Sequence, residues 1–154
     1  MFLQTNDRIV NLKNVSNINI LNDKNRIVFN LNYNIEMPSN SWNSSKMISD
    51  YVYWDAISNA DLEQNITHIL RMPYFIENFI SSNDNNVFIN LNEISSVKFS
   101  EKKTRVIFNL SNPVTFKDYD GNEKITSDFV YVNCYDLEDY KNYVEQIKQK
   151  IIKG

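Results

Sequence analysis

The sequence predicts an α+β fold, an internal tandem duplication of a ββββα unit with antiparallel sheets and helices packed at a shared core. Three observations carry that expectation. Blocks of residues recur at an offset of about 79 positions, shortening to about 78 late in the copy. Val10-Asn11-Leu12 returns as Ile89-Asn90-Leu91, Arg26-Ile27-Val28-Phe29-Asn30-Leu31 as Arg105-Val106-Ile107-Phe108-Asn109-Leu110, and Ser49-Asp50-Tyr51-Val52-Tyr53 as Ser127-Asp128-Phe129-Val130-Tyr131. Within the copies, apolar and polar residues alternate with the period of a half-buried strand. Each copy then ends in an apolar stripe at helical spacing.

The elements follow in order. Arg8 to Leu12 and Val87 to Leu91 read as first strands, Ile18 to Leu21 and Ser96 to Ser100 as second strands. Arg26 to Asn32 and Thr104 to Leu110 are the third, reached through the turns Lys24-Asn25 and Glu101-Lys102-Lys103. Polar loops over 38–45 and 118–122 lead to fourth strands at Asp50 to Trp54 and Asp128 to Val132. Ser58 and Asp136 are helix N-caps, with Asp61 and Asp139 three residues on. The stripe Leu62, Ile66, Ile69, Leu70 marks one helix, and Leu137, Tyr140, Val144, Ile147, Ile151 the other. Pro73 ends or kinks the first, and Tyr74 to Ile80 form a short extra helix. The units are then residues 1–80 and 87–154, joined by a polar linker over 81–86 and related by a pseudo-twofold axis.

Bulk properties narrow the function. The 154 residues carry 16 basic and 19 acidic side chains, a net charge of −3, which excludes the strongly basic footprint of a duplex-DNA binder. Cys134 is the single cysteine, so no intrachain disulfide forms and a cytoplasmic location is expected. The opening residues lack the basic and apolar segments of a signal peptide, and no run of about 18 apolar residues suggests a membrane span. The abundance of Asn, Ile and Lys matches the codon usage of an AT-rich genome, such as a phage or plasmid.

Catalytic chemistry lacks its usual groups. His68 is the one histidine and lies mid-helix, without partners at metal-ligand or dyad spacing. Cys134 takes the place of Ala56 and reads as a small buried filler. Two glycines cannot build a phosphate-cradling loop. No metal, no cofactor and no enzymatic activity are expected. Asp50 and Asp128, repeated before the fourth strands, are candidate acids or metal ligands, but their presence in both copies favours residues that bond local backbone; Arg26 and Arg105, which begin matching strands, either pair with carboxylates of the sheet rim or bind phosphate.

The fourth strands carry the functional expectation. Alternation places Tyr51 and Tyr53, and likewise Phe129 and Tyr131, on the face away from the helix. Aromatic rings on a sheet are stacking platforms for unpaired bases, while Arg26, Lys98, Lys103 and Arg105 supply phosphate contacts. The tandem strand-strand-strand-strand-helix unit resembles the Whirly family and related single-strand-binding coactivators; that family's lysine-rich second-strand signature is not present, the nearest stretch being Glu101-Lys102-Lys103-Thr104-Arg105. The resemblance implies single-stranded nucleic-acid binding on sheet surfaces and assembly through helices. The alternative is a protein-interaction module that modulates a host complex, using Trp42, Tyr74, Phe75, Phe79 and Tyr119, which the repeat does not share. Four aromatic residues left uncovered also predict a homodimer or higher even-numbered oligomer.

Overall fold

The computed structural model describes residues 1–38, 45–117 and 120–153. The chain opens on a hairpin of β1 (Phe2–Gln4) and β2 (Ile9–Asn11), closed by Thr5 N–H donating to Arg8 O at 2.9 Å. A 3-10 turn over Leu12–Asn14 follows, where the Asn11 Oδ1 accepts from Lys13 N–H at 3.1 Å. Then come β3 (Val15–Leu21), β4 (Arg26–Pro38), β5 (Ser45–Asp55) and α1 (Asn59–Leu70). The Ser58 hydroxyl accepts from Asp61 N–H at 3.1 Å, and the Asp61 carboxylate accepts from Ile57 N–H at 3.0 Å. Two otherwise orphaned N–H groups at the helix start are thereby satisfied. Pro73 breaks the helix as expected, since it lacks an N–H and its ring excludes the preceding turn, and it opens α2 (Pro73–Asn78).

The rest of the chain runs through β6 (Phe79–Ser81), β7 (Val87–Asn90), a 3-10 turn (Leu91–Glu93), β8 (Ile94–Ser100), β9 (Arg105–Lys117), β10 (Glu123–Asn133) and α3 (Leu137–Lys153). The Asp136 carboxylate caps α3 by accepting from Asp139 N–H at 2.8 Å, and Asp139 accepts from Tyr135 N–H at 2.9 Å. One expectation is corrected here. The extra helix stops at Asn78, because Phe79 turns extended (φ −113°, ψ 149°) and joins β6. The expected linker takes a definite form: β6 and β7 pair antiparallel with Ile80 opposite Ile89, so residues 82–86 join the halves as a hairpin turn. Asp84 accepts there from the Ser82 hydroxyl at 2.6 Å and from Asn86 N–H at 3.1 Å, which holds its carboxyl below the usual range. The strands flanking the two polar loops also extend further than their core motifs, as the pairs Met37↔Lys46 and Phe116↔Lys124 show.

The sheets are antiparallel. One eight-stranded sheet runs β10-β9-β5-β4-β3-β7-β6, with β8 on the other edge of the first part of β9, and β1-β2 stands as a separate pair. The anticipated pseudo-twofold axis does not describe this pairing. β7 lies against β3, with Ile18 opposite Phe88, yet no strand among the described residues lies against the matching edge of β8. A twofold would require β2 on β8 in return.

The single shared core is likewise replaced by two apolar clusters. The first gathers Leu3, Val10, Ile18, Phe29, Trp54, Leu62, Ile69 and Phe88; the second gathers Ile80, Ile89, Phe108, Val132, Tyr140, Tyr143 and Ile147. The physical reason is the alternation along β7. Phe88 faces the first cluster and Ile89 the second, so one strand separates two cores. At about 25 cal/mol per Å² of apolar surface, a strand buried on both faces contributes more per residue than any edge strand here.

Candidate functional site

The outward face of β5 is set by the pleat. Val52 and Trp54 turn toward the helix side, which leaves Tyr51 and Tyr53 outward with 42% and 40% of their surface exposed. Their rings stack with centroids 4.9 Å apart and planes 29° from parallel. The Tyr51 phenol is pushed above its ordinary range, first by its hydrogen bond with Tyr53. Arg26, opposite Asp55 at the start of β4, lays its guanidinium 4.2 Å from the centre of the Tyr53 ring. That guanidinium also bonds Asp55 through both Nε and Nη2, the latter at 3.3 Å, so its charge is already matched.

The same arrangement stands on β10. Phe129 and Tyr131 are 44% and 46% exposed, with centroids 4.7 Å apart at 39°. Arg105 lies 4.7 Å over the Tyr131 ring. One partner differs: where β5 has Asp55, β10 has Asn133, whose Oδ1 accepts from Arg105 Nε at 2.7 Å. A neutral amide thus orients this arginine without cancelling it, and no carboxylate among the described residues pairs with it. Register places Lys98, Ile107 and Tyr131 in one row across β8, β9 and β10, and Ser100, Arg105 and Asn133 two residues on, on the same face. Lys98 is exposed, and Lys103 is exposed in the adjoining turn. Around the second pair the described cations Lys98, Lys103 and Arg105 stand with Glu101 in the adjoining turn, while at the first pair Asp55 balances Arg26 and Asp50 lies beside it. Asp50 serves local structure, accepting from Tyr51 N–H at 2.9 Å where the β4–β5 register shifts. Its bond to Tyr33 pushes that phenol up. The Asp128 side chain lies outside the described residues.

The alternative interaction residues divide. Phe75 and Phe79 are 6% and 3% exposed, stacked 4.8 Å apart, with Phe75 edge-on to Phe88 at 5.2 Å. They belong to the first cluster and are unavailable to a partner, because α2 leads straight into β6 and its apolar side seals the seam where β7 enters. Tyr74 is half-buried against the same cluster. Trp42 and Tyr119 lie outside the described residues.

His68 is exposed on α1, and among the described residues no three His, Cys, Asp or Glu side chains converge as metal ligands. Cys134 is buried, which pushes its thiol up, as does the charge of Asp139. No helix among the described residues is long and apolar enough to cross a membrane. The sequence reading placed both aromatic pairs on the outward face, and the structure has them exposed there with an arginine over each tyrosine. That reading missed Asp55 and Asn133, which lie two residues beyond the matched block and set the charge of each site. No family model, curated protein or solved structure matches this chain.

Proposed function

We propose that this protein is a non-catalytic binder of single-stranded nucleic acid, built as an internal duplication in which each copy presents one stacking platform. The observation that supports this reading is the twofold occurrence of one exposed constellation: two neighbouring aromatic rings on a strand face with an arginine laid across the second. Exposed rings of this kind offer a flat apolar face to any base, and the arginine adds a cation beside the phosphate path. The resemblance to Whirly-like proteins is consistent with that role. The single cysteine and the AT-rich composition suit a cytoplasmic protein of a phage or plasmid.

Fluorescence anisotropy with labelled single-stranded oligonucleotides at low salt tests the proposal. Binding is expected at or below roughly tens of micromolar protein, weakening as salt rises. Tyr53→Ala and Tyr131→Ala should each cost about 1–3 kcal/mol. Arg105→Gln should flatten the salt dependence by about one phosphate contact, whereas Arg26→Gln, already neutralised by Asp55, should change it less. Absence of binding with both DNA and RNA oligonucleotides would direct attention to a protein partner on the same aromatic faces, since aromatic side chains also anchor protein interfaces.

A further inference from the structure

The contact between β7 and β3 has two unfilled counterparts, one on β2 and one on β8. Aligning the halves on their matched blocks puts β2 in the place of β7 and β8 in the place of β3. Within the chain, β7 lies along β3, with Asn17 opposite Ile89, Ile18 opposite Phe88 and Asn19 opposite Val87. Among the described residues, the outer edge of β8 pairs with no strand, and β2 pairs only with β1. We propose that the β1–β2 hairpin of one copy of this protein adds to the β8 edge of another, head to tail, repeating between chains the contact that β6–β7 makes within one.

Four residue-level observations point to that occupant. Phe88 is 2% exposed, inserted into the first cluster beside Phe75, while its counterpart on β2, Ile9, is 68% exposed. An outward Ile beside the inward Val10 and Leu12 is what a β7-like strand shows when the core meant for its second face is missing. That core is open at the other end of the molecule. A groove of about 520 Å³ runs beside β8, lined by Leu91, Ile94, Val97 and Ile151 among others. Ile94 and Val97 match Val15 and Ile18, which enclose Phe88 in the first cluster.

Asn90 gives the third observation. It donates from Nδ2 to Val15 O across the β7–β3 seam at 2.8 Å, while its Oδ1 caps the following turn. Asn11 holds its turn in the same way through Oδ1, which leaves its amide N–H₂ placed to reach Ile94 O of another copy. The fourth is a backbone donor. Ile20 N–H donates to Asn86 O at 2.7 Å, so the matching Phe99 N–H is directed from the β8 edge toward Asp7 O of the incoming hairpin. Arg8 then lies opposite Lys98, with its charge matched in advance by Asp7 at 3.0 Å.

Unpaired strand edges recruit strands of this kind, and the surfaces here are different patches. The interface is therefore heterologous and propagates into open chains or closes into rings of any number, unlike a self-complementary dimer. It uses neither aromatic platform and stands independently of nucleic-acid binding.

Sedimentation velocity on the full chain, without nucleic acid, over rising concentration is the test. The wild type should shift to species larger than a dimer. Ile9→Lys keeps the β8 edge but spoils the hairpin; Phe99→Pro keeps the hairpin but removes the outward donor, and Phe99→Glu keeps that donor but puts a carboxylate on the apolar face of β8, beside Val97, that Ile9 would cover. Each variant alone should stay monomeric, with helical and sheet signals intact. Mixing Ile9→Lys with either Phe99 variant should give a one-to-one dimer and nothing larger, because one good edge then meets one good hairpin. A wild type that stays monomeric, or an oligomer indifferent to Ile9 and to both Phe99 variants, overturns the proposal.

Discussion

At the scale of single residues, the two halves differ most usefully where their backbones agree. Asn25 and Thr104 occupy matching turn positions, and both adopt left-handed conformations, with φ of 49° and 47°. In each case the carbonyl of that residue accepts from the chain beyond the fourth strand, Ala56 N–H at 2.8 Å and Cys134 N–H at 2.8 Å. Asn tolerates this region, whereas a β-branched threonine is crowded there. The Thr104 hydroxyl recovers only a long hydrogen bond to Cys134 O, at 3.4 Å. Thr104→Asn should therefore stabilise the protein by about 0.5–1 kcal/mol, read as a higher urea midpoint at unchanged slope. A lower midpoint would show that the hydroxyl matters more than the strain. The same residue-by-residue comparison explains the electrostatics of the aromatic faces. Replacing Asp55 by Asn133 leaves the geometry of the arginine in place and changes only what charge it offers outward.

At the scale of elements, β7 carries the largest consequence. Asn90 is fully buried, and its two side-chain bonds join β7 to β3 and hold the turn into β8. Asn90→Ala should cost about 1–3 kcal/mol in urea unfolding, because Val15 O loses its buried partner. In a monomeric background, Asn11→Ala should cost less, since only the turn bond is lost. Equal costs would argue against the different settings of the two side chains.

The element scale also shows how much was legible beforehand. Period-two alternation located the strands and the outward aromatics, and the caps at Ser58 and Asp136 located the helices to within a residue. The short strands β1 and β6 were not legible. In Phe75-Ile76-Glu77-Asn78-Phe79-Ile80 the apolar spacing suits a helix, and nothing local marks the change to extended backbone at Phe79. Phe75 and Phe79 read as interface residues in the sequence because the matching stretch of the second half lacks them. In the structure these rings fill the seam around Phe88. Which strands pair between halves depends on contacts far apart in sequence, and local patterning carries no trace of them.

For the whole molecule, the shared strand couples the two cores. Each half alone has the size at which an isolated core is marginal, and separating them would expose both faces of β7. Unfolding is therefore expected as one transition. Hydrogen exchange under mild denaturant should report the same opening free energy for β3, in the first half, and α3, in the second. Two separated values would mean that β7 parts from β3 before either core melts. The buried thiol offers a further handle on that seam. Cys134 sits beneath the β6–β7 turn, touched by Asn83 Nδ2 at 3.4 Å, and the sequence contains no other cysteine. A thiol-specific alkylating reagent has one target in the chain, and only 8% of that residue is exposed while the turn is closed. The pace of its labelling becomes a clock for how often this region breathes, readable by intact mass without a fluorophore or an engineered residue.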